Sequence, residues 1–200
     1  MLEVKDATIA VAEKTLARRL SFIADDGRIT CITGPAASGK TTFIRTLMGF
    51  LPVAEGFVTI DGELLTLQSA PAFRRMFCYL PQNIHLLRSQ LYPPEAPKAQ
   101  ADEYCLWNTP LPQPEAQAPT EPLQADEVFR LISQTIQSAD SRPIIIADEP
   151  ASHLTPQFVT PLLQLLQQQA QAGKCVLIAS RNPQLIAAAH HIIDLTQFQS

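Results

Sequence analysis

Short apolar runs alternate with segments of helical spacing along most of this 200-residue chain. Short apolar runs bounded by turn residues are typical of buried strands, and apolar positions recurring once per helical turn indicate helices. Strands are predicted at residues 2–9, 16–23, 28–33, 56–62, 76–80, 143–148, 174–179 and 191–195. Helices are predicted at residues 42–48, 123–138, 156–172 and 183–189, and a helical turn at residues 71–76. Strands that alternate with helices predict an α/β fold, with a mainly parallel sheet covered on both faces.

The pattern breaks between residues 93 and 122, where eight prolines are interleaved with Gln, Ala and Glu. Proline removes a backbone donor and fixes φ, so this segment excludes long helices and central strands. It is either a loosely ordered excursion or partly polyproline-like. The helix that follows has one apolar face, formed by Val128, Leu131, Ile132, Thr135 and Ile136.

A phosphate-binding loop is predicted between the strand at 28–33 and the helix at 42–48, because residues 34–41 fit G-x-x-x-x-G-K-[ST]. Glycines let the loop turn tightly, so that backbone N–H groups surround a phosphate. Lys40 can reach the outer phosphates and the Thr41 hydroxyl can bind Mg²⁺. The predicted nucleotide-binding residues are Gly34, Pro35, Ala36, Ala37, Ser38, Gly39, Lys40, Thr41 and Thr42. The chain is therefore expected to bind a nucleoside triphosphate.

Two carboxylates follow the apolar strand at 143–148, which has the form of a Walker B strand. Asp148 at the strand end can hold Mg²⁺ through water beside the phosphate loop. Glu149 can polarise an attacking water as a general base. The alternative is an acidic pair that only caps a strand before a proline turn.

Composition narrows the function classes. The formal net charge of −4 gives no electrostatic reason to expect nucleic acid as a direct partner. The four cysteines are far apart and suggest neither a zinc site nor a disulfide framework, and free buried thiols are expected for the three in or beside apolar strands. Neither a signal peptide nor a membrane-spanning stretch is evident, so a cytoplasmic location is expected.

Three segments together resemble the ATP-binding cassette of ABC transporters: Gly34–Thr42, Tyr79–Asn83 and Ile146–Leu154. The similarity covers nearly the whole chain outside the proline-rich stretch. It implies a P-loop NTPase fold in which residues 1–82 and 139–200 form the ATP-binding core. Residues 83–138 would be an inserted small helical or irregular subdomain.

The resemblance also implies roles. Gln82 would sense the γ-phosphate and Mg²⁺ and face a membrane subunit. The predicted catalytic residues are Glu149, Lys40 and Gln82, and the predicted metal ligands are Thr41, Gln82 and Asp148. ATP and Mg²⁺ are the implied cofactors. A second cassette, as homodimer or heterodimer, and a membrane permease are the implied partners, which would place the chain peripherally at the inner face of the cell membrane.

The chain departs from the family pattern in its signature loop, L-S-G-G-Q, which family members donate to the ATP of a partner cassette. No glycine lies between Gly62 and Gly173, so no true signature precedes the Walker B strand. The best-placed remnant is Leu123–Glu127, in which Asp126 would repel a triphosphate.

Three other positions differ from the family. Arg181 stands where the family has its switch histidine; it can still contact a phosphate charge, but it cannot share a proton with Glu149. Thr155 replaces the aspartate of the D-loop, and Val11 lies about where an aromatic ring stacks on adenine.

These features predict an ATP-binding subunit of an ABC-type transporter, an ABC-type ATPase whose hydrolysis is weak or partner-dependent when the chain is alone. An alternative is a regulatory or scaffold protein that closes on ATP with little turnover. Retention of Glu149 argues against that alternative, since a purely binding site needs no general base. A P-loop kinase of small molecules is a third possibility, but the proline-rich segment supplies no arginine cluster for a second phosphate.

Overall fold

The computed structural model describes residues 1–11, 14–91 and 123–198. Its strands are β1 (Leu2–Val11), β2 (Lys14–Ala24), β3 (Ile29–Thr33), β4 (Glu55–Ile60), β5 (Glu63–Leu64), β6 (Phe77–Leu80), β7 (Ile144–Asp148), β8 (Cys175–Ala179) and β9 (His191–Asp194). Its helices are α1 (Lys40–Leu47), α2 (Ala70–Met76), α3 (Ile84–Leu91), α4 (Ala125–Ser138), α5 (Pro156–Gln171) and α6 (Pro183–Ala187), followed by a 3₁₀ turn at Leu195–Phe198.

Five strands form a parallel sheet in the order β6-β7-β8-β3-β9. Every residue of β7 and β8 is buried, as expected for central strands of a parallel sheet covered on both faces. The strand β3, which leads into the phosphate loop, lies between β8 and β9. The predicted α/β class with a mainly parallel sheet is confirmed.

A second sheet was not predicted. It is antiparallel, with the order β2-β1-β4-β5. The strands β1, β2 and β4 were expected individually, and β5 was not. The connections between β1 and β2 and between β4 and β5 are too short for the crossovers that parallel pairing requires. Between β4 and β5 only Asp61 and Gly62 intervene, and both have positive φ, 50° and 82°. Two such residues in succession are typical of a type I′ hairpin turn.

Two apolar clusters cover the two faces of the parallel sheet. The first joins the antiparallel sheet and α1 to one face, with Phe43 and Leu47 of α1 among its members. The second packs α3, α4, α5 and α6 against the other face. In α4 the buried residues are the five predicted ones, Val128, Leu131, Ile132, Thr135 and Ile136.

The helix α3 was missed in the sequence, although Ile84 and Leu87 are buried at helical spacing on its inner face. The predicted division into a core and an inserted subdomain at 83–138 stays a prediction. The proline-rich stretch at 93–122 lies outside the described residues. In the three ranges that the structure describes, no helix combines the length and apolar character needed to cross a bilayer.

Candidate nucleotide-binding site

The phosphate loop, residues 34–42, connects β3 to α1 and depends on its glycines. Gly34, Ala37 and Gly39 have positive φ angles of 149°, 60° and 95°. A Cβ added to Gly34 would lie 2.7 Å from Ser38 Oγ, and one added to Gly39 would lie 3.1 Å from the Leu16 side chain. Larger residues at these two positions would therefore be both strained and crowded.

Lys40, the first residue of α1, is buried and folds back over the loop. Its Nζ donates hydrogen bonds of 2.9 Å to each of the backbone oxygens of Gly34 and Pro35. The same atom lies 3.6 Å from Oε1 of Glu149. An ammonium group is thus held inside a turn of backbone, where its present partners are two carbonyls and one carboxylate that an anionic ligand could replace.

A cavity of about 280 Å³ lies in front of the loop. Its lining consists of residues 36–42 of the loop and α1, of Gln82, Glu149 and Arg181, and of Leu16 of β2. The structure therefore brings Gln82 and Glu149 beside the loop as the motifs predicted. Leu16 was missed because a single leucine on a strand carries no motif. A larger groove of about 610 Å³, lined by residues such as Arg28 and His190, contains none of the motif residues.

Glu149 immediately follows β7 in an unusual backbone conformation, with φ of 47°. Its N–H donates to the oxygen of Ala179, at the end of the neighbouring strand β8, at 2.8 Å. Its buried carboxylate accepts from Arg181, at 3.0 Å from Nε and 3.3 Å from the backbone N. Positive φ in a non-glycine residue costs of order 1–3 kcal/mol, and such strain clusters at functional sites.

Asp148 is the last residue of β7 and is fully buried. Neither of its carboxylate oxygens has a hydrogen-bond partner among the residues that the structure describes. Burial raises the pKa of Asp148; the nearby Thr41 hydroxyl lowers it, the charge of Glu149 raises it, and the charges of Lys40 and Arg45 lower it. An unpartnered buried carboxylate beside a hydroxyl fits Mg²⁺, a hard cation that prefers oxygen ligands.

A metal site made entirely of protein side chains is not found in the described residues. Within residues 1–11, 14–91 and 123–198, no group of three or more His, Cys, Asp or Glu side chains could hold a metal ion. Mg²⁺ is usually held by one or two carboxylates together with substrate phosphates and water, so the site fits a metal that arrives with a nucleotide.

The three described cysteines, Cys31, Cys78 and Cys175, are free and buried, as expected for them. Burial raises the pKa of Cys31 and of Cys78 to about 11, and that of Cys175 to about 12. At neutral pH all three are therefore uncharged thiols that pack as small apolar groups. Cys105 lies outside the described residues.

The structure locates two of the residues that depart from the family pattern, Arg181 and Thr155. Arg181 lies in the cavity wall, and its ion pair with Glu149 was not foreseen from the sequence. Thr155 is the N-cap residue of α5 without a side-chain capping bond. Nearby, Nε2 of His153 lies 3.0 Å from the backbone oxygen of Gln82, a contact that links the segment after β7 to the segment after β6.

The remnant of the signature loop, residues 123–127, forms the beginning of α4. Leu123 packs against the second apolar cluster, and Gln124 is the N-cap residue. Asp126 and Glu127 lie in the first turn of the helix. None of these residues lines the cavity in front of this chain's own phosphate loop.

The sequence model of the family described as "ABC transporter" matches residues 17–152 of this chain. The chain belongs to this family. It is thus an ABC-type ATPase and an ATP-binding subunit of a transporter, as the three segments predicted. The kinase alternative is thereby set aside.

Individual relatives agree with the family. The energy-coupling factor transporter ATP-binding protein EcfA2 of Leuconostoc mesenteroides is 32% identical over 188 residues, which cover 84% of this chain and 65% of that protein. The hemin import ATP-binding protein HmuV of Chelativorans sp. is 24% identical, over 100% of this chain and 83% of its own length. The chain therefore spans about two thirds of the first of these relatives.

Solved structures support the fold. An ATP-binding cassette described as the dimeric structure of a post-hydrolysis state bound to ADP and Pi superimposes with a TM-score of 0.70 at 19% identity. The superposition covers 97% of this chain and 94% of that one. The predicted P-loop NTPase fold is confirmed.

Proposed function

We propose that this chain binds MgATP in the cavity in front of the phosphate loop and hydrolyses it as one member of a cassette dimer that acts on a membrane permease. The observation that carries this proposal is the position of Lys40. Its ammonium is buried between two loop carbonyls and lies 3.6 Å from the carboxylate of Glu149. A cation held in a glycine loop beside a carboxylate on strained backbone is an arrangement that suits phosphoryl transfer.

Each predicted residue has a role in this proposal. The backbone of residues 34–42 and the ammonium of Lys40 would bind the phosphates. Thr41, Asp148 and Gln82 would hold Mg²⁺, which neutralises charge on the phosphates during transfer. Glu149 would orient an attacking water and accept its proton. Two observations support the metal role: Asp148 lacks hydrogen-bond partners in the described chain, and Gln82 and Thr41 line the same cavity.

In a dimer with a different cassette, the two composite ATP sites would differ in their rate of hydrolysis. A composite site needs donors from the partner cassette on the terminal phosphate, and the beginning of α4 offers Asp126 and Glu127 in place of glycine amides. Two copies of this chain would therefore form sites that bind ATP but turn it over slowly. A partner cassette with a glycine-containing signature would supply the missing donors to this chain's ATP.

The permease and the location at the inner face of the cell membrane are part of the same proposal. Support comes from relatives whose names describe subunits of import or transport systems, including HmuV and the ferric enterobactin transport protein FepC of Escherichia coli, which is 25% identical over 98% of this chain. The contact between His153 and the backbone of Gln82 is suited to relay movement between the two loops that would face the dimer partner and the permease.

The test is nucleotide binding and steady-state hydrolysis by the purified chain. Fluorescent ATP should bind in the presence of Mg²⁺, and Lys40→Ala should abolish this binding. Turnover should fall well below the range of about 1–100 per second of proficient phosphoryl-transfer enzymes. A matched control is Arg75→Met, since Arg75 is exposed on α2, away from the cavity.

Three outcomes separate the parts of the proposal. Binding that survives Lys40→Ala would contradict the site. Brisk hydrolysis that Lys40→Ala removes would confirm the site and contradict the unequal dimer. Tight binding without hydrolysis, even with a competent partner cassette, would favour the regulatory or scaffold alternative.

A further inference from the structure

Arg181 and Glu149 form an asymmetric pair. The Arg181 side chain is 53% exposed, whereas the Glu149 side chain is 10% exposed. The guanidinium Nε donates to one carboxylate oxygen at 3.0 Å, and the backbone N of Arg181 donates toward the other at 3.3 Å. Arg181 thus reaches from the rim of the cavity to a carboxylate that is nearly enclosed.

The backbone around the pair is fixed from both sides. Glu149 and Arg181 follow the neighbouring strands β7 and β8, and Asp148 and Ala179 are paired in the sheet. Ser180 N donates to the oxygen of Ile32 at 3.0 Å, and the Asn182 side chain caps α6. The backbone N of Arg181, and the point from which its side chain starts, are therefore held in place before any ligand binds.

Glu149 has a second cationic neighbour, Lys40, whose ammonium would be drawn to a bound triphosphate. Lys40 lies 3.6 Å from the same oxygen, Oε1, that accepts from Arg181. A triphosphate in the loop would take the ammonium of Lys40, and its negative charges would stand close to Glu149. Among the described residues Arg181 would then be the one cation left in contact with this carboxylate. A buried charge without a partner is strongly unfavourable.

We propose that Arg181 is a positioning residue that neutralises and holds Glu149, so that the carboxylate can stay beside the phosphates after Lys40 has turned to them. This proposal deepens the proposed function and rests on it. Arg181 acts through Glu149, because its Nε and its backbone N both donate to that carboxylate. A direct bond from Arg181 to phosphate is the competing explanation.

A double-mutant cycle on nucleotide affinity distinguishes the two. The variants are Arg181→Met, Glu149→Gln and the double variant, each titrated with fluorescent ATP and Mg²⁺. We expect Arg181→Met to weaken binding about tenfold, which corresponds to about 1.4 kcal/mol. In the Glu149→Gln background the same change should alter the Kd less than about twofold, because no carboxylate charge remains to be neutralised.

The variant Arg181→Lys and the kinetic constants provide further measurements that would not change if Arg181 had a purely structural role. Arg181→Lys should recover most of the binding, because the charge is kept, but less of kcat, because the fixed guanidinium geometry is lost. Arg181→Met should lower kcat as well as raise KM, since Glu149 would no longer be held in place. Arg75→Met is the matched control, and thermal unfolding of each variant reports whether it is folded.

An equal loss of affinity in both backgrounds would overturn the proposal in favour of direct phosphate contact. An unchanged Kd for Arg181→Met in the wild-type background would overturn it as well. A failure of the proposed function would be recognised by a different result: nucleotide binding would be unaffected by Lys40→Ala.

Discussion

The N-termini of α1 and α4 both carry the positive end of a helix dipole, but they differ in the side chains that surround it. The first residue of α1 is Lys40, its N-cap is Gly39 in the left-handed conformation, and its first turn contains no acidic residue. The helix α4 begins after Gln124, and its first turn contains Asp126 and Glu127. A helix N-terminus carries partial positive charge. In α1 this charge is left for an external anion, whereas in α4 the chain's own carboxylates occupy it.

The two regions also differ in backbone strain and in the hydrogen bonding of their buried polar groups. Around α1 the loop has glycines and positive φ angles, Glu149 is strained, and Asp148 is buried without partners in the described chain. Around α4 the acidic first turn is favourable for the helix, and the partly buried Leu123 packs against the second apolar cluster. The first region has the features that the proposed phosphate site requires, and the second has those of an ordinary stable helix start.

The largest effect is expected from replacing the beginning of α4, residues 124–127, by a glycine-containing signature sequence. We predict that Gln124→Ser, Ala125→Gly, Asp126→Gly and Glu127→Gln together raise the turnover of the purified chain about a hundredfold, because restoring one positioned donor to a transition state is worth about 10²–10³ in rate. Steady-state ATP hydrolysis measures this. The same variant with Lys40→Ala should be inactive, and unchanged turnover would show that α4 does not face a nucleotide in the dimer.

A smaller effect is expected from the unpartnered carboxylate. We predict that Asp148→Asn raises the Tm of the nucleotide-free protein by a few degrees, since it removes a buried charge whose two oxygens lack hydrogen-bond partners in the described chain. About 1 kcal/mol shifts Tm by about 2–4 °C at this chain length. It should also abolish the additional stabilisation by Mg²⁺ in the presence of ATP. Thermal unfolding with and without MgATP tests both parts, and exposed Asp25→Asn is the matched control. A lower Tm without nucleotide would contradict the first part.

The smallest effect is expected at α4. We predict that Asp126→Ala with Glu127→Ala lowers Tm slightly, because each carboxylate in a first turn stabilises a helix by about 0.3–1 kcal/mol. The difference from the wild-type protein should shrink as salt is added, since exposed charges are screened. A Tm that rises, or a difference that does not depend on salt, would contradict the helix-start interpretation. Binding of MgATP to this chain's own loop should not change.

Local patterns predicted most of the individual elements. The apolar runs located the strands, and the spacing of Val128, Leu131 and Ile136 located the buried face of α4. Antiparallel pairing of β1, β2 and β4 was not predicted, because an apolar run does not name its neighbour in a sheet. The short α3 was missed because two buried residues give a weak periodicity.

The sequence by itself determined the residue types of the site, because glycines, Lys40, Thr41 and the pair after β7 lie in contiguous motifs whose chemistry depends on local spacing. Only the tertiary structure decided which distant residues meet them. Arg181 reaches Glu149, 32 residues away, since β7 and β8 are neighbours and their ends lie at one edge of the sheet. Leu16 reaches Gly39 because β2 packs beside the loop. Such contacts follow from strand order, which long-range packing sets and no local motif encodes.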